Sequence, residues 1–325
     1  MNIDRRIAVL GGALSILAPS RGAFAADWVP TQTVKIIVPF APGGSADIAG
    51  RILAEKLSPL WRQPVVIDNR PGAGTSIGSA AASKATPDGH TLYLAYNLSF
   101  AATAGMYRRL SYKPLQDLVA ISSVADGPFV VAVGPGFPAS TFAEFLAALR
   151  SSPQGLLFGS SGVGAGPHLA TEILLRRVDA KAVHVPYRGT AEAVVALMSG
   201  QVQFALLDAS ALGALRDRQV KSLAVTTEAR WEPLPQVPTV AEAGLAGFEI
   251  TSGSCVMVPA RTPPDIQGSL NRAITAVLAT PDTVKQFEKL GFVARGSSIE
   301  QANMRIRSDM ERIGKIVSEL NLQVE

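Results

Sequence analysis

Short apolar runs rich in β-branched residues alternate along this chain with longer stretches whose apolar side chains recur every three or four positions. Val34–Phe40, Val65–Ile67, Thr91–Tyr96 and Pro128–Val133 read as buried strands. Ala46–Leu60 reads as a helix with Ile48, Ile52, Leu53 and Leu57 on one face, and Thr75–Ala85 and Ala143–Arg150 read as further helices. Between Tyr96 and Pro128 no clear period emerges, and that region reads as looser. A second cycle then begins: strand Leu156–Phe158, helix His168–Arg177, strand Val183–Tyr187, helix Ala191–Ser199, strand Val202–Leu207, helix Ala209–Asp217 and strand Lys221–Thr226. Glu249–Pro259 is again β-like, and Pro263-Pro264 opens a helix through Leu278. A last helix runs from about Ile299 to Leu320, with a capping box from Ser298 and Gln301. The alternation predicts an α/β protein whose mainly parallel sheets are flanked by helices.

Composition narrows the class. The chain has 325 residues, and single cores rarely grow past about 250–300 residues, so two lobes are expected. Thirty Lys+Arg against 26 Asp+Glu is a weak excess, and the basic residues never cluster beyond a pair. A nucleic-acid partner, which needs a clustered phosphate footprint, is therefore not expected. One cysteine, Cys255, excludes an internal disulfide and a cysteine-based zinc site, and neither metal nor cofactor is expected. At the N-terminus Arg5-Arg6 precedes the apolar run Ile7–Ala18 and then Ala23-Phe24-Ala25. That order is a secretory signal peptide, residues 1–25, and implies export.

Two turns carry the candidate chemistry. In Phe40-Ala41-Pro42-Gly43-Gly44-Ser45-Ala46-Asp47 a strand ends, two glycines permit a tight turn, and a helix begins with Ser45 as the expected N-cap. Unpaired N–H groups and the helix dipole make such a turn receptive to an anion, and the absence of Lys or Arg suits a carboxylate better than a polyphosphate. Gly159–His168 repeats the logic in the second half. Its glycines lack the G-x-G-x-x-G spacing of a dinucleotide site. His168 reads first as a structural hydrogen-bonder. Asp208 ends a strand, where it serves equally well as a cleft residue or as the N-cap of the next helix. Arg188, the only strong cation after the strand at Val183–Tyr187, is either a ligand partner or a solvated charge. Gly74–Gly78 spells G-x-S-x-G around Ser76, but that nucleophile elbow needs a strand running straight into its first glycine, and Asn69–Ala73 intervene.

The sequence resembles the Bug-type periplasmic receptors, the solute-binding subunits of tripartite tricarboxylate transporters. The resemblance spans the mature chain in ordered segments: KIIVPFAPGGSAD at 35–47, VVIDNRPGAG at 65–74, ATPDGHTL at 85–92, VHVPYRG at 183–189, GQVQF at 200–204 and VPTVAEAGLAGF at 237–248. It implies a two-lobed type II periplasmic binding protein fold with crossover strands near Asp126–Val133 and Ile250–Val258. Lobe one would then be 27–126 plus 251–325, and lobe two 127–250. It further implies an exported, monomeric, non-catalytic receptor that binds a small carboxylate between the lobes and delivers it to an integral-membrane permease. The site residues carried over are Phe40, Gly43, Gly44, Ser45 and Asp47, with Asn97 and Ser99 in a loop after the third strand. Ser161, Gly164, Ala165, His168 and Asp208 face them. Ser45 and Ser161 would donate to the ligand, whereas an ionised Asp47 would hold the loop or act through water.

The chain departs from the family in the second loop. Ala165, Gly166 and Pro167 stand where a Thr or Ser is common before the His, and Ala209 stands where Asn is frequent. Fewer polar side chains there imply a smaller or more apolar ligand, such as a monocarboxylate or an aromatic acid. Two other functions stay open at this stage: an exported serine hydrolase using Ser76, and a ligand sensor built on the same fold.

Overall fold

The computed structural model describes residues 28–319 and 322, apart from 108 and 153. The signal peptide expected at 1–25 lies outside the described residues. The first half of the chain runs β1 (Val34–Val38), α1 (Ser45–Trp61), β2 (Val65–Asn69), α2 (Ser76–Ser83), β3 (Thr91–Tyr96), α3 (Asn97–Met106), α4 (Pro114–Asp117) and β4 (Leu118–Asp126). It continues with β5 (Phe129–Val133), α5 (Phe142–Arg150), β6 (Leu156–Ser160), α6 (Gly166–Arg177), β7 (Ala182–Pro186), α7 (Thr190–Met198), β8 (Phe204–Asp208), α8 (Leu212–Arg216) and β9 (Lys221–Val225). Then follow β10 (Ser254–Pro259), α9 (Pro264–Leu278), α10 (Pro281–Lys289), β11 (Val293–Ala294) and α11 (Ile299–Glu319).

These strands form two sheets, ordered β11-β4-β10-β3-β1-β2 and β7-β6-β8-β5-β9, which makes the molecule a two-lobed α/β protein. In each sheet the strands joined through helices, β2-β1-β3 and β7-β6-β8, are parallel. Both sheets are mixed, because the strands that follow a crossing of the chain, β5 and β10, enter antiparallel to their neighbours. The chain crosses between β4 and β5 and returns before β10. The two crossings hydrogen-bond to one another, Gly127 N–H to Ser252 O at 3.3 Å and Ser252 N–H to Gly127 O at 2.8 Å, with a bridge between Pro128 and Thr251.

Sequence and packing agree in most elements. β1 is apolar on both faces because helices cover both; only Lys35 is exposed. α1 buries Ile52, Leu53, Leu57 and Trp61, and it ends at Arg62 in a left-handed conformation (φ 52°). The capping box at the start of α11 is present: Gln301 N–H donates to Ser298 Oγ and Ser298 N–H to Gln301 Oε1, each at 3.1 Å. The region read as looser holds α3 and the nine-residue β4. α3 packs between α11, the β3 end and α6, so eight of its ten residues are buried and no polar face marks it as a helix. Cys255, within β10, is buried and its thiol is pushed up to about 12 by burial. Among the described residues no helix is long and apolar enough to cross a membrane.

Candidate functional site

The loops after β1, β6 and β7, the start of α3 directly after β3, and the end of β8 surround a cavity of about 440 Å³ between the sheets. It opens onto the helices that follow those strands, the place where α/β folds collect ligands. The N-cap residues of α1, α3, α6 and α7 are Gly44, Tyr96, Ala165 and Gly189; none is capped by a side chain, and all four line the cavity. Away from it, α5 and α10 are capped by Thr141 and Thr280. Each uncapped end carries partial positive charge and favours an anion by about 0.3–1 kcal/mol. Four such ends, two from each lobe, therefore converge on one volume, although Pro167 removes one N–H from the α6 end.

The first loop is held from behind. Asp47 Oδ2 accepts from Gly43 N–H at 2.9 Å and from Arg51 Nε at 2.8 Å, and Asp47 Oδ1 accepts from Asn69 Nδ2 at 3.0 Å. Asn69 Nδ2 also reaches Phe40 O at 3.0 Å. Burial opposes the charge on Asp47, but Arg51, Gly43 and Asn69 together hold its carboxyl below the usual range. Gly43 supplies the left-handed turn (φ 88°) that aims its N–H inward at Asp47. Phe40 stacks edge-on against Tyr96, with ring centroids 5.7 Å apart.

Ser45 does not act as N-cap. Gly44 takes that position, and the Ser45 hydroxyl crosses between lobes to donate to Asp208 Oδ1 at 2.8 Å. Asp208 also accepts from Thr190 Oγ1 at 3.0 Å, Ser210 N–H at 3.0 Å and Ser210 Oγ at 2.5 Å. Asp208 thus caps the helical turn after β8 and receives the other lobe at once. Its two sequence-level roles coincide. Tyr96 lies beside this pair; its phenol is pushed up by burial and by the Asp208 charge, and opposed by Ser45.

Asn97 and Ser99 sit in the first turn of α3 rather than in a loop. The Ser99 hydroxyl and both side-chain atoms of Asn97 are buried without a hydrogen-bond partner, and Ser99 lines the cavity. Phe40, Gly43, Gly44, Ser45, Ser161, Ala165 and Asp208 line it as well, whereas Asp47, Asn97, Gly164 and His168 stand behind the wall. Arg188, Thr190, Ser210, Ser252 and Gly253 join the wall, and sequence reasoning carried none of these into the site. Arg188 alone had a signal, as an isolated cation at a strand end.

The second loop rests on an aromatic stack. His168 and His184 lie face to face with centroids 3.9 Å apart, and Phe158 stacks on His184 at 4.8 Å. Gly164 N–H donates to His168 Nδ1 at 3.1 Å, so that nitrogen is unprotonated. Burial, and then the neighbouring His184, drive His168 down to about 3; burial alone takes His184 to about 4. Ser160 Oγ meets His184 Nε2 at 2.6 Å, a serine–histidine contact that no spacing revealed. Ser160 is 1% exposed, lies behind the wall and engages the loop at Gly162, so it pins the turn. At Ser76 no nucleophile elbow forms: β2 ends at Asn69, and a 3-10 turn at Ala73–Thr75 precedes the helix.

The tripartite tricarboxylate transporter family receptor model matches residues 49–322. The chain belongs to this family. The receptor is 33% identical to Protein BugT of Bordetella pertussis, over all of both chains. A solved R. palustris protein, Rpa4515 with adipate, is 30% identical with TM-score 0.84, covering 89% of the receptor and 97% of that chain. MatC from Rhodopseudomonas palustris with bound malate is 28% identical with TM-score 0.81, covering 89% and 99%. The Bug-type resemblance and the two-lobed binding-protein fold are thereby established.

Proposed function

We propose that this receptor captures a small carboxylate between its lobes in the periplasm and delivers it to an integral-membrane permease, with no chemical step. The observation that carries the reading is the convergence of four uncapped helix N-termini on one cavity, together with the orphaned buried hydroxyl of Ser99. Helix ends offer N–H donors and partial positive charge to a carboxylate. The adipate and malate of the two solved relatives support the same ligand chemistry. Lobe one, 27–126 plus 251–325, and lobe two, 127–250, would close like a hinged clamp about the paired crossings. An N-terminal signal peptide over 1–25 would bring the chain to the periplasm.

A thermal-shift screen tests the reading. The mature protein, refolded to strip carried-over ligand, is heated with mono-, di-, tri- and aromatic carboxylates and with amino acids. Ligand at about 100 times its Kd stabilises the folded state by about 2.7 kcal/mol, so a true ligand gives a shift that grows with concentration. No shift with any acid, together with turnover of a nitrophenyl ester that Ser76→Ala abolishes, would replace the receptor reading with a hydrolase.

A further inference from the structure

We propose that His168 is a positioning residue for ligand capture, holding the turn before α6 so that Gly166 N–H and the Ser161 hydroxyl face the cavity. This rests on the reading of that cavity as the ligand site and names the group that shapes its wall at α6.

Three backbone amides of this turn are spent inside the protein. Gly162 N–H donates to Ser160 Oγ at 3.1 Å, Gly164 N–H to His168 Nδ1 at 3.1 Å, and Ala165 N–H to Gly162 O at 3.2 Å. Pro167 has no N–H, and Gly166 N–H has no acceptor among the described residues. Gly166 N–H is thus the helix-end donor that stands in the cavity wall, beside Ala165 and Ser161. The turn fits tightly where it lies. A Cβ on Gly164 would stand 3.2 Å from Met106 Sδ at the end of α3, and one on Gly166 would stand 3.0 Å from Phe129 Cζ. Gly164 itself is left-handed (φ 77°), a conformation open to glycine, and its amide is tied to the imidazole.

The imidazole is fixed by its neighbours in turn. His184 lies against it with ring planes 14° apart, and Phe158 stacks on it with centroids 6.2 Å apart. Ser160 Oγ, which receives Gly162 N–H, also meets His184 Nε2. Both anchored glycine amides therefore end on one cluster of Ser160, His184 and His168. The titratable groups facing His168 are His184 and, one turn along α6, Glu172, whose Oε1 is 3.8 Å from Nε2. Of the other elements packed on α6, α3 carries no titratable side chain, and Asp208 at the end of β8 is committed to Ser45, Thr190 and Ser210. Burial, and then His184, keep the ring neutral down to about pH 3, so Nδ1 stays an acceptor. A proton on Nδ1 would set donor against donor and release Gly164.

The test begins with the bond itself, by NMR of isotope-labelled, ligand-free protein. Gly164 N and His168 Nδ1 should share a scalar coupling across the hydrogen bond, and it should persist at about pH 5, where an ordinary histidine is protonated. Calorimetry with adipate and with malate at neutral pH then compares two variants. His168→Asn offers Oδ1 as an acceptor near the place of Nδ1, whereas His168→Leu suits the apolar surroundings and accepts nothing. Affinity should fall about tenfold in His168→Leu and no more than about threefold in His168→Asn. A packing role gives the opposite order, because leucine is the better buried of the two. In the ligand-free variants the Ser161 and Gly166 amide resonances should move in His168→Leu and stay near their places in His168→Asn. Absence of the coupling, its loss near pH 6.5, or binding by His168→Leu at least as tight as by His168→Asn overturns the proposal. Should His168→Leu not fold, the coupling and the binding and resonances of His168→Asn decide. Failure of both acids to bind the unaltered protein counts against the carboxylate reading, and the ligand-free coupling and resonances then decide the positioning role.

Discussion

Ser45, on the first turn of α1, and Asp208, at the end of β8, join the two lobes through a 2.8 Å hydrogen bond between buried side chains 163 positions apart. The bond links the loop that opens the cavity on one side to the strand end that closes it on the other. It acts as a latch. Hydrogen bonds to a charged group contribute about 1.5–3 kcal/mol. Ser45→Ala should shift the lobes toward an open arrangement, seen as a larger radius of gyration in small-angle scattering, and weaken ligand binding about tenfold. An unchanged radius and affinity would remove the latch from the mechanism.

Asp47 should matter for binding although it does not line the cavity. It ties Gly43 N–H, Arg51 and Asn69 behind the loop. Asp47→Ala frees the loop and leaves the Gly43 N–H without its acceptor, a loss of about 1–3 kcal/mol. The expected result is a lower melting temperature and a larger entropic penalty on binding by calorimetry. Equal entropies in both proteins would contradict a loop-ordering role.

The stacked histidines set an acid limit. His168 and His184 have folded-state pKa values of about 3 and about 4, below the ordinary value near 6.5. Above about pH 6.5 both are neutral, folded or unfolded, and their contribution is fully present. As pH falls below that value the unfolded chain takes up protons and the folded one does not, so stability is lost until the folded values are passed. For the buried His168 the slope is about 1.4 kcal/mol per pH unit; the half-buried His184 gives less. Glu172, 3.8 Å from His168 and pushed up by burial, opposes the trend in part. His184→Gln should flatten the fall of melting temperature between pH 6.5 and 4. Parallel curves for both proteins would assign that fall to carboxylates elsewhere.

The crossings are clamped by one arginine. Arg305 on α11 binds Asp126 with Nη1–Oδ2 3.0 Å and Nη2–Oδ1 2.7 Å, and Arg295 approaches the same carboxylate at 3.6 Å. At Gly253, in the returning crossing and in the cavity wall, a Cβ would stand 2.5 Å from Arg305 Nη2 and displace the guanidinium from its present place. Arg305→Met leaves Asp126 with the weaker Arg295 contact and should destabilise the fold by about 1–3 kcal/mol. In the double variant with Asp126→Asn, the two losses should not add, which a double-mutant cycle in urea measures. Full additivity would show that the pair is not coupled.

Much of this architecture was legible from periodicity, since β1, α1, β6, α6 and α11 each hide one apolar face or run and announce their ends with Gly, Pro or a capping pair. α3 and β4 were not, because burial on several sides erases the contrast between apolar and polar positions. The same holds within the site. The two glycine turns declare themselves as anion-receptive helix starts from local chemistry alone. That Ser45 gives its hydroxyl to Asp208, and that Tyr96 and Gly189 head two further helices aimed at the same volume, follows from how the sheets face each other.

By itself, then, the sequence determined most of the strands and helices, α3 and β4 excepted, where the backbone turns tightly, and that a small acid suits those turns, because these depend on neighbours within a few residues. Only the tertiary structure decided which turns share a cavity, which hydroxyls are spent between lobes and which charge, Arg188, is left without a partner. Those are properties of distance between residues far apart in the chain, and no local pattern encodes a distance across two sheets.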